Sequence, residues 1–318
     1  MDNARAALAL EAAHAGTWKW TIRTGELEWD ASLERVFGLE PGSFPGTFDA
    51  YIDLLHPDDR EPTLRTIQQA LAEKVDHYVE HRILSNDGSV RWISGRGRVV
   101  LDESGEPKGM VGIGEDITAQ RLAEERLRLL AHAGDLLGSS LELSTTLQQL
   151  CDLAIEALAD WCTVDLVEED GVQLVAVAHR DPARVAWARE LRERFGVDMD
   201  SDVGLPSVLK TGVPYVLKSI DSNWLRQALE QLPDITEEEV ERFMSLDLRS
   251  SMTVPLKSAK GEVLGAIGLV SAEGGRYYTD DDVTLALEIA RRAATAVENS
   301  WRSGYMMRVS PIRTMATS

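Results

Sequence analysis

Histidine and cysteine are the side chains here that could hold a cofactor or carry covalent chemistry, and the 318-residue chain has six of one and two of the other. His56, His77 and His81 fall in its first third. An axial imidazole for haem must reach into a pocket. His56 stands in the turn His56-Pro57-Asp58-Asp59, which reads as a helix start and predicts a surface cap. His77 and His81 share the strand parity of Val79 and Ile83, so His81 is expected to point inward as a core or pocket-lining imidazole, not a metal ligand. On one unbroken helix Cys151 and Cys162 would stand about 16 Å apart, too far for a disulfide. His132, Cys162 and His179 could be drawn as a zinc set, but no short-range ligand pair accompanies them. The acid clusters Asp58-Asp59, Glu168-Glu169-Asp170, Glu237-Glu238-Glu239 and Asp280-Asp281-Asp282 lack calcium-loop spacing and read as solvated faces and helix starts. No metal site is expected. With no phosphate-cradling Gly-rich loop and no Gly-x-Ser-x-Gly elbow, no catalytic residue is expected either.

Space for a small organic ligand is the stronger signal. Ile93, Gly95, Gly97 and Val99 share one strand face, and the two glycines leave room there. Val111 and Ile113 are expected to line the same face of the neighbouring strand. With His81, the candidate ligand-binding set is His81, Ile93, Gly95, Gly97, Val111 and Ile113. The competing expectation is that a helix fills the space.

The elements that must position these residues are legible. Strands are expected over 17–22, 27–29 and 78–84, and short helices over 32–37 and 48–55. A longer helix should run from the His56 turn to about Glu73, and an Ala-rich helix over 4–15 should precede the first strand. The run from Arg91 to Ile113 reads as two strands around the turn Asp102-Glu103-Ser104-Gly105-Glu106, a hairpin. Together these give a five-stranded antiparallel sheet with helices on one face. Residues 118–137 then read as a helical connector. Ala123, Leu127, Leu130 and Leu137 form a short heptad seam, which predicts a homodimeric contact; the competing expectation is an ordinary amphipathic helix packed on its own domain.

A second unit follows. A helix over 147–161 precedes strands at 162–167 and 172–178, then a helix from 179 to 195. Residues 196–250 read as loops and short helices. A hairpin pairs 251–256 with 263–271, and Thr279 caps a last helix to about Trp301. Residues 302–318 read as a disordered tail.

Several motifs carry a family resemblance. Trp18-Lys19-Trp20, His56-Pro57-Asp58-Asp59, Asn86-Asp87-Gly88-Ser89-Val90-Arg91-Trp92-Ile93 and Asp116-Ile117-Thr118 together resemble the PAS domains of bacterial sensor kinases. Ala159-Asp160-Trp161-Cys162, Ala178-His179-Arg180-Asp181-Pro182, Gly204 to Gly212, Ser250 to Leu256 and Leu264 to Leu269 resemble the GAF domains that follow PAS in sensor kinases and regulatory serine phosphatases. The implied fold class is α+β, two antiparallel-sheet sensor domains joined by a helical connector. The domains are expected at 1–117 (PAS-like), 118–137 (connector), 138–301 (GAF-like) and 302–318 (tail). The resemblance also narrows the cofactors. A flavin photosensor of this kind needs a cysteine beside the ring, and both cysteines lie in the second unit. A bilin needs a suitably placed cysteine, often followed by His, but Thr163 follows Cys162 and Asp152 follows Cys151. The Asn-Lys-x-x-Phe signature of cyclic-nucleotide GAF domains is missing. No cofactor is expected, while an unknown small-molecule ligand stays open.

Composition limits partners. The net charge of -20 argues against a broad nucleic-acid surface, and no apolar run suits a membrane span. The two cysteines fit a reducing cytoplasm. The chain is therefore expected to be a cytoplasmic input protein, not an enzyme, that passes a signal to a separate histidine kinase, phosphatase or other effector. The alternatives are a truncated sensor histidine kinase, an N-terminal fragment of a regulatory serine phosphatase, or a ligand-free scaffold.

Overall fold

The computed structural model describes residues 10, 12–85, 90–139, 142–272 and 277–302. Most of the helix expected over 4–15, the Asn86-Asp87-Gly88 turn and nearly all of the tail fall outside them. The chain divides into two units, residues 1–125 and 126–318.

The first unit is built on a five-stranded antiparallel sheet. Its strands are β1 (Ala15–Thr21), β2 (Glu26–Trp29), β3 (His77–Leu84), β4 (Val90–Leu101) and β5 (Pro107–Asp116), in the spatial order β2-β1-β5-β4-β3. Three helices lie between β2 and β3: α1 (Ala31–Val36), α2 (Phe48–Leu54) and α3 (Pro57–Glu73). Side-chain caps mark where they begin. Asp30 accepts the Leu33 amide at 2.8 Å, and Thr47 accepts that of Ala50 at 3.2 Å. The β4–β5 hairpin closes on Asp102, whose carboxylate accepts the amides of Ser104 (2.8 Å) and Glu106 (3.0 Å), with Gly105 at a φ of 83°.

Register decides which residues face the helices. Trp18 pairs with Gly112, Gly112 with Gly97, and Gly97 with His77. The Trp18 ring lies across both glycines, so a Cβ on Gly97 would come within 2.5 Å of it and one on Gly112 within 2.6 Å. On β5 the inward set is therefore Met110, Gly112 and Gly114. Val111 and Ile113 are exposed on the opposite face, which corrects the expectation that they line the ligand face. The apolar-inside rule fails here because an indole from β1 fills the space over the glycines.

Helix α4 (Thr118–Ser139) leaves β5 after one residue. The expected seam does not behave as one stripe. Ala123 and Leu127 are exposed, whereas Leu130 and Leu137 pack against the core of the second unit beside the buried Leu129 and Ala133. Arg292 donates to the Leu130 carbonyl at 2.8 Å. From Arg126 onward the helix belongs to the second unit, so it is not a separate connector.

That unit repeats the architecture. Its sheet contains β6 (Trp161–Glu168), β7 (Gly171–His179), β8 (Tyr215–Leu217), β9 (Ser250–Lys257) and β10 (Val263–Ser271), ordered β7-β6-β10-β9-β8. The α5 (Leu143–Ala157) and α10 (Asp280–Arg302) helices pack on one face, around Val164, Leu166, Val254 and Ala293. Helix α6 (Pro182–Phe195) contributes Trp187, and α7 (Gly204–Thr211) contributes Val208 and Leu209, to clusters that include Trp161 and Val167 of β6. Helices α8 (Ser222–Leu229) and α9 (Glu237–Met244) follow β8. Helix α5 ends four residues earlier than expected, and Cys162 stands on β6. The two cysteines are consequently buried in the same core cluster instead of standing 16 Å apart on one helix, and the neighbouring Cys162 thiol, followed by burial, pushes the Cys151 thiol well up.

Candidate functional site

Between the sheet and helices of the first unit lies a cavity of about 50 Å³. Six aromatic residues line it: Trp18, Trp20, Trp29, Phe37, Phe48 and Tyr51. The local sequence explains their convergence. Trp18 and Trp20 share one parity of β1. Glu34 is buried yet accepts the amides of Gly42 (2.6 Å) and Phe44 (2.9 Å), pinning the loop after α1. That loop stacks Phe44 on Trp29, with ring centroids 3.7 Å apart. Phe48 stacks on Trp20 at 4.5 Å, and Tyr51 meets His81 edge-on at 5.7 Å. Burial pushes the Tyr51 hydroxyl above its ordinary range.

Strand β3 supplies the polar part of the wall. His81 is 2% exposed, and neither ring nitrogen has a hydrogen-bond partner. Burial drives its pKa down to about 4, with nearby Asp59 opposing and His77 reinforcing. His77 is lowered by burial too, although the Thr66 backbone partly offsets this, and its Nδ1 is unpartnered. The strand itself is anchored firmly. Asp59, in the first turn of α3, accepts the Arg82 amide at 2.7 Å and its guanidinium at 2.7 and 3.0 Å. The Arg82 hydrogen bond holds the Asp59 carboxyl below the usual range.

Of the residues singled out in sequence, His81, Ile93 and Gly95 line the cavity. Gly97 lies under the Trp18 ring, and Val111 and Ile113 are on the far face. The aromatic wall was not singled out as lining, although the shared parity of Trp18 and Trp20 carried the signal. His56 caps α3, its Nδ1 accepting the Asp58 amide at 3.4 Å. No cluster of three or more metal-ligating side chains occurs among the described residues.

The outer face of the same strands touches α4. Glu80, one residue before His81, forms an ion pair with Arg121. The Arg121 guanidinium lies over Trp92, 4.9 Å from its ring centroid. Trp92 in turn donates its amide to Thr118 Oγ1 at 2.9 Å and accepts the Ile117 amide at 2.9 Å. Each cavity residue, His81 and Ile93, thus has a chain neighbour that holds the first turn of the helix.

Comparison with known proteins agrees with this architecture. Residues 26–114 match the PAS fold family, and residues 140–298, half of the chain, match the GAF domain family. A blue-light-activated histidine kinase of Brucella anthropi is 27% identical over 189 residues, covering 46% of this chain and 38% of that protein. Sensor protein FixL of Bradyrhizobium diazoefficiens is 27% identical over 119 residues, covering 37% of this chain and 23% of FixL. The chain therefore spans well under half the length of these relatives. Among solved structures, a sensory box histidine kinase/response regulator from Burkholderia thailandensis is 32% identical, covering 39% of this chain and 92% of that one, with a TM-score of 0.35. A GAF domain of a phosphoenolpyruvate-protein phosphotransferase from Coxiella burnetii is 16% identical, covering 58% and 99%, with a TM-score of 0.43. Both matched domains are of the sensory type, and no helix among the described residues is long and apolar enough to cross a membrane. The chain belongs to the GAF domain family, and a PAS-fold domain of the kind found in sensor histidine kinases precedes its GAF domain.

Proposed function

We propose that the chain is the input part of a cytoplasmic signalling system, in which a small molecule occupies the aromatic cavity and its presence is passed to α4. The observation that carries this reading is the alternation of β3. His81 faces the cavity with two unsatisfied nitrogens, while Glu80 faces outward and grips Arg121 of the helix. A ligand that draws on His81 shifts the strand, and the ion pair transmits the shift. The effector is a separate protein, of the histidine kinase or phosphatase type. The kinase names of the relatives favour a second reading, in which these domains are the input region of a histidine kinase. Neither reading assigns a flavin, haem, bilin or metal.

Dimerisation belongs to the same proposal. Leu127, 67% exposed, and Leu122, 47% exposed, stand on α4 with the exposed Ala123, and a second copy of the helix would cover them. Native mass spectrometry of the full chain tests the sensing reading. The expected result is a non-covalent adduct on the wild type that His81→Phe and the partly cavity-filling Gly95→Val both remove. An adduct unaffected by either substitution would place the ligand elsewhere.

A further inference from the structure

The cavity wall specifies a class of molecule. No Lys, Arg, Asp or Glu lines it. An ion placed there would lose its hydration without gaining a counter-charge. The wall is nevertheless not purely apolar. Both His81 nitrogens, His77 Nδ1 and the Trp20 indole N–H are buried without partners. Buried polar atoms in folded proteins are nearly always satisfied, so these four point to an occupant that bonds to some of them. Burial keeps the His81 ring neutral at physiological pH. A neutral imidazole offers one donor and one acceptor, and an indole offers one more donor. The occupant must therefore both accept and donate.

Size gives the third constraint. At about 50 Å³ the cavity has a third of the volume of an apolar cavity of ~150 Å³ that takes benzene. By that proportion about two heavy atoms fit as the walls stand, and a molecule of four needs a small displacement of the lining side chains.

We propose that the cavity takes a neutral molecule of about two to four heavy atoms carrying both a hydrogen-bond donor and an acceptor, such as a short primary amide, and discriminates against ions of the same shape. This rests on the sensing reading above. A carbonyl oxygen accepts from the imidazole N–H or the indole, and the amide N–H donates to the other imidazole nitrogen.

The test uses the full chain and four probes of one branched shape: acetamide, acetate, acetamidinium and isobutene. The readout is the ¹⁵N shift of the His81 ring nitrogens at neutral pH, identified by their loss in His81→Phe. Acetamide should shift both nitrogens saturably, with acetate and acetamidinium at least tenfold weaker, and isobutene should not produce the hydrogen-bonding shift. His81→Gln, which restores a donor and an acceptor, should retain acetamide binding by equilibrium dialysis, while His81→Phe loses it. Equal binding of either ion, binding undiminished in His81→Phe, or no saturable effect of acetamide would overturn the proposal; the last would leave water as the occupant. The two readings fail separately. If acetamide binds without changing amide protection in the first turns of α4, the ligand class stands and the relay falls. If no probe binds but Gly95→Val still changes that protection, the relay stands and the ligand class falls.

Discussion

Acidification should loosen the first unit, and His81 should carry much of the effect. Its imidazole has a pKa of about 4 when folded, against an ordinary value of 6.5. The folded state therefore binds this proton less readily than the unfolded chain. The contribution to stability is complete above about pH 6.5 and is lost as pH falls towards 4. The difference amounts to about 3 kcal/mol, on the order of a hundredfold in the folding equilibrium. His77, lowered in the same direction, adds to it, while Asp59 moderates the His81 shift. Hydrogen exchange read peptide by peptide resolves the two units. Protection of β3, β4 and β5, corrected for intrinsic exchange rates, should fall by about two orders of magnitude from pH 7 to pH 4. In His81→Phe most of this slope should vanish, and stability at pH 7 should hold or rise because two unsatisfied nitrogens are removed. A flat wild-type profile, or an unchanged slope in the variant, would refute the buried neutral imidazole.

Asp165 gives the second unit the opposite dependence. Burial, opposed by Arg192, raises its pKa to about 6, so this unit should lose up to about 3 kcal/mol as pH rises from about 4 to 6, and Asp165→Asn should abolish the trend in the same exchange experiment. Gly112→Ala should destabilise the first unit by about 1–3 kcal/mol in thermal unfolding, since its Cβ would sit 2.0 Å from the Arg96 carbonyl oxygen and 2.6 Å from the Trp18 ring. Neither cysteine should react with an aromatic disulfide reagent in the native protein, and both should after denaturation, because both are buried. Light scattering should find a dimer that Leu122→Asp with Leu127→Asp converts to folded monomer; an unchanged dimer would remove α4 from the interface.

Both sheets and the long helices were legible because their signals are local: parity in β1 and β4, Asp102 and Gly105 in the hairpin, and Thr279 before α10. The face of β5 was misread because Gly112 and Gly114 point inward where Val111 and Ile113 would ordinarily go. Only the register against β1, which brings Trp18 over Gly97 and Gly112, reveals this. The cysteine contact was hidden by a helix end. Nothing in the sequence marks Ala157 as the last residue of α5 strongly enough to place Cys162 on β6. Strand β8 escaped notice among loops because it has three residues. The connector seam fitted a heptad, but Leu129 and Ala133, off the seam, are what the second unit buries. Such tertiary choices overrule local periodicity.

The central claim is that the cavity communicates with α4 through Glu80 and Arg121. Amide exchange in residues 118–125 measures it directly, comparing wild type with Gly95→Val, each with and without Glu80→Gln. The account predicts that partly filling the cavity changes protection of those amides when Glu80 is present and leaves them unchanged when Gln replaces it. Equal responses in both backgrounds, or no response in either, would contradict it.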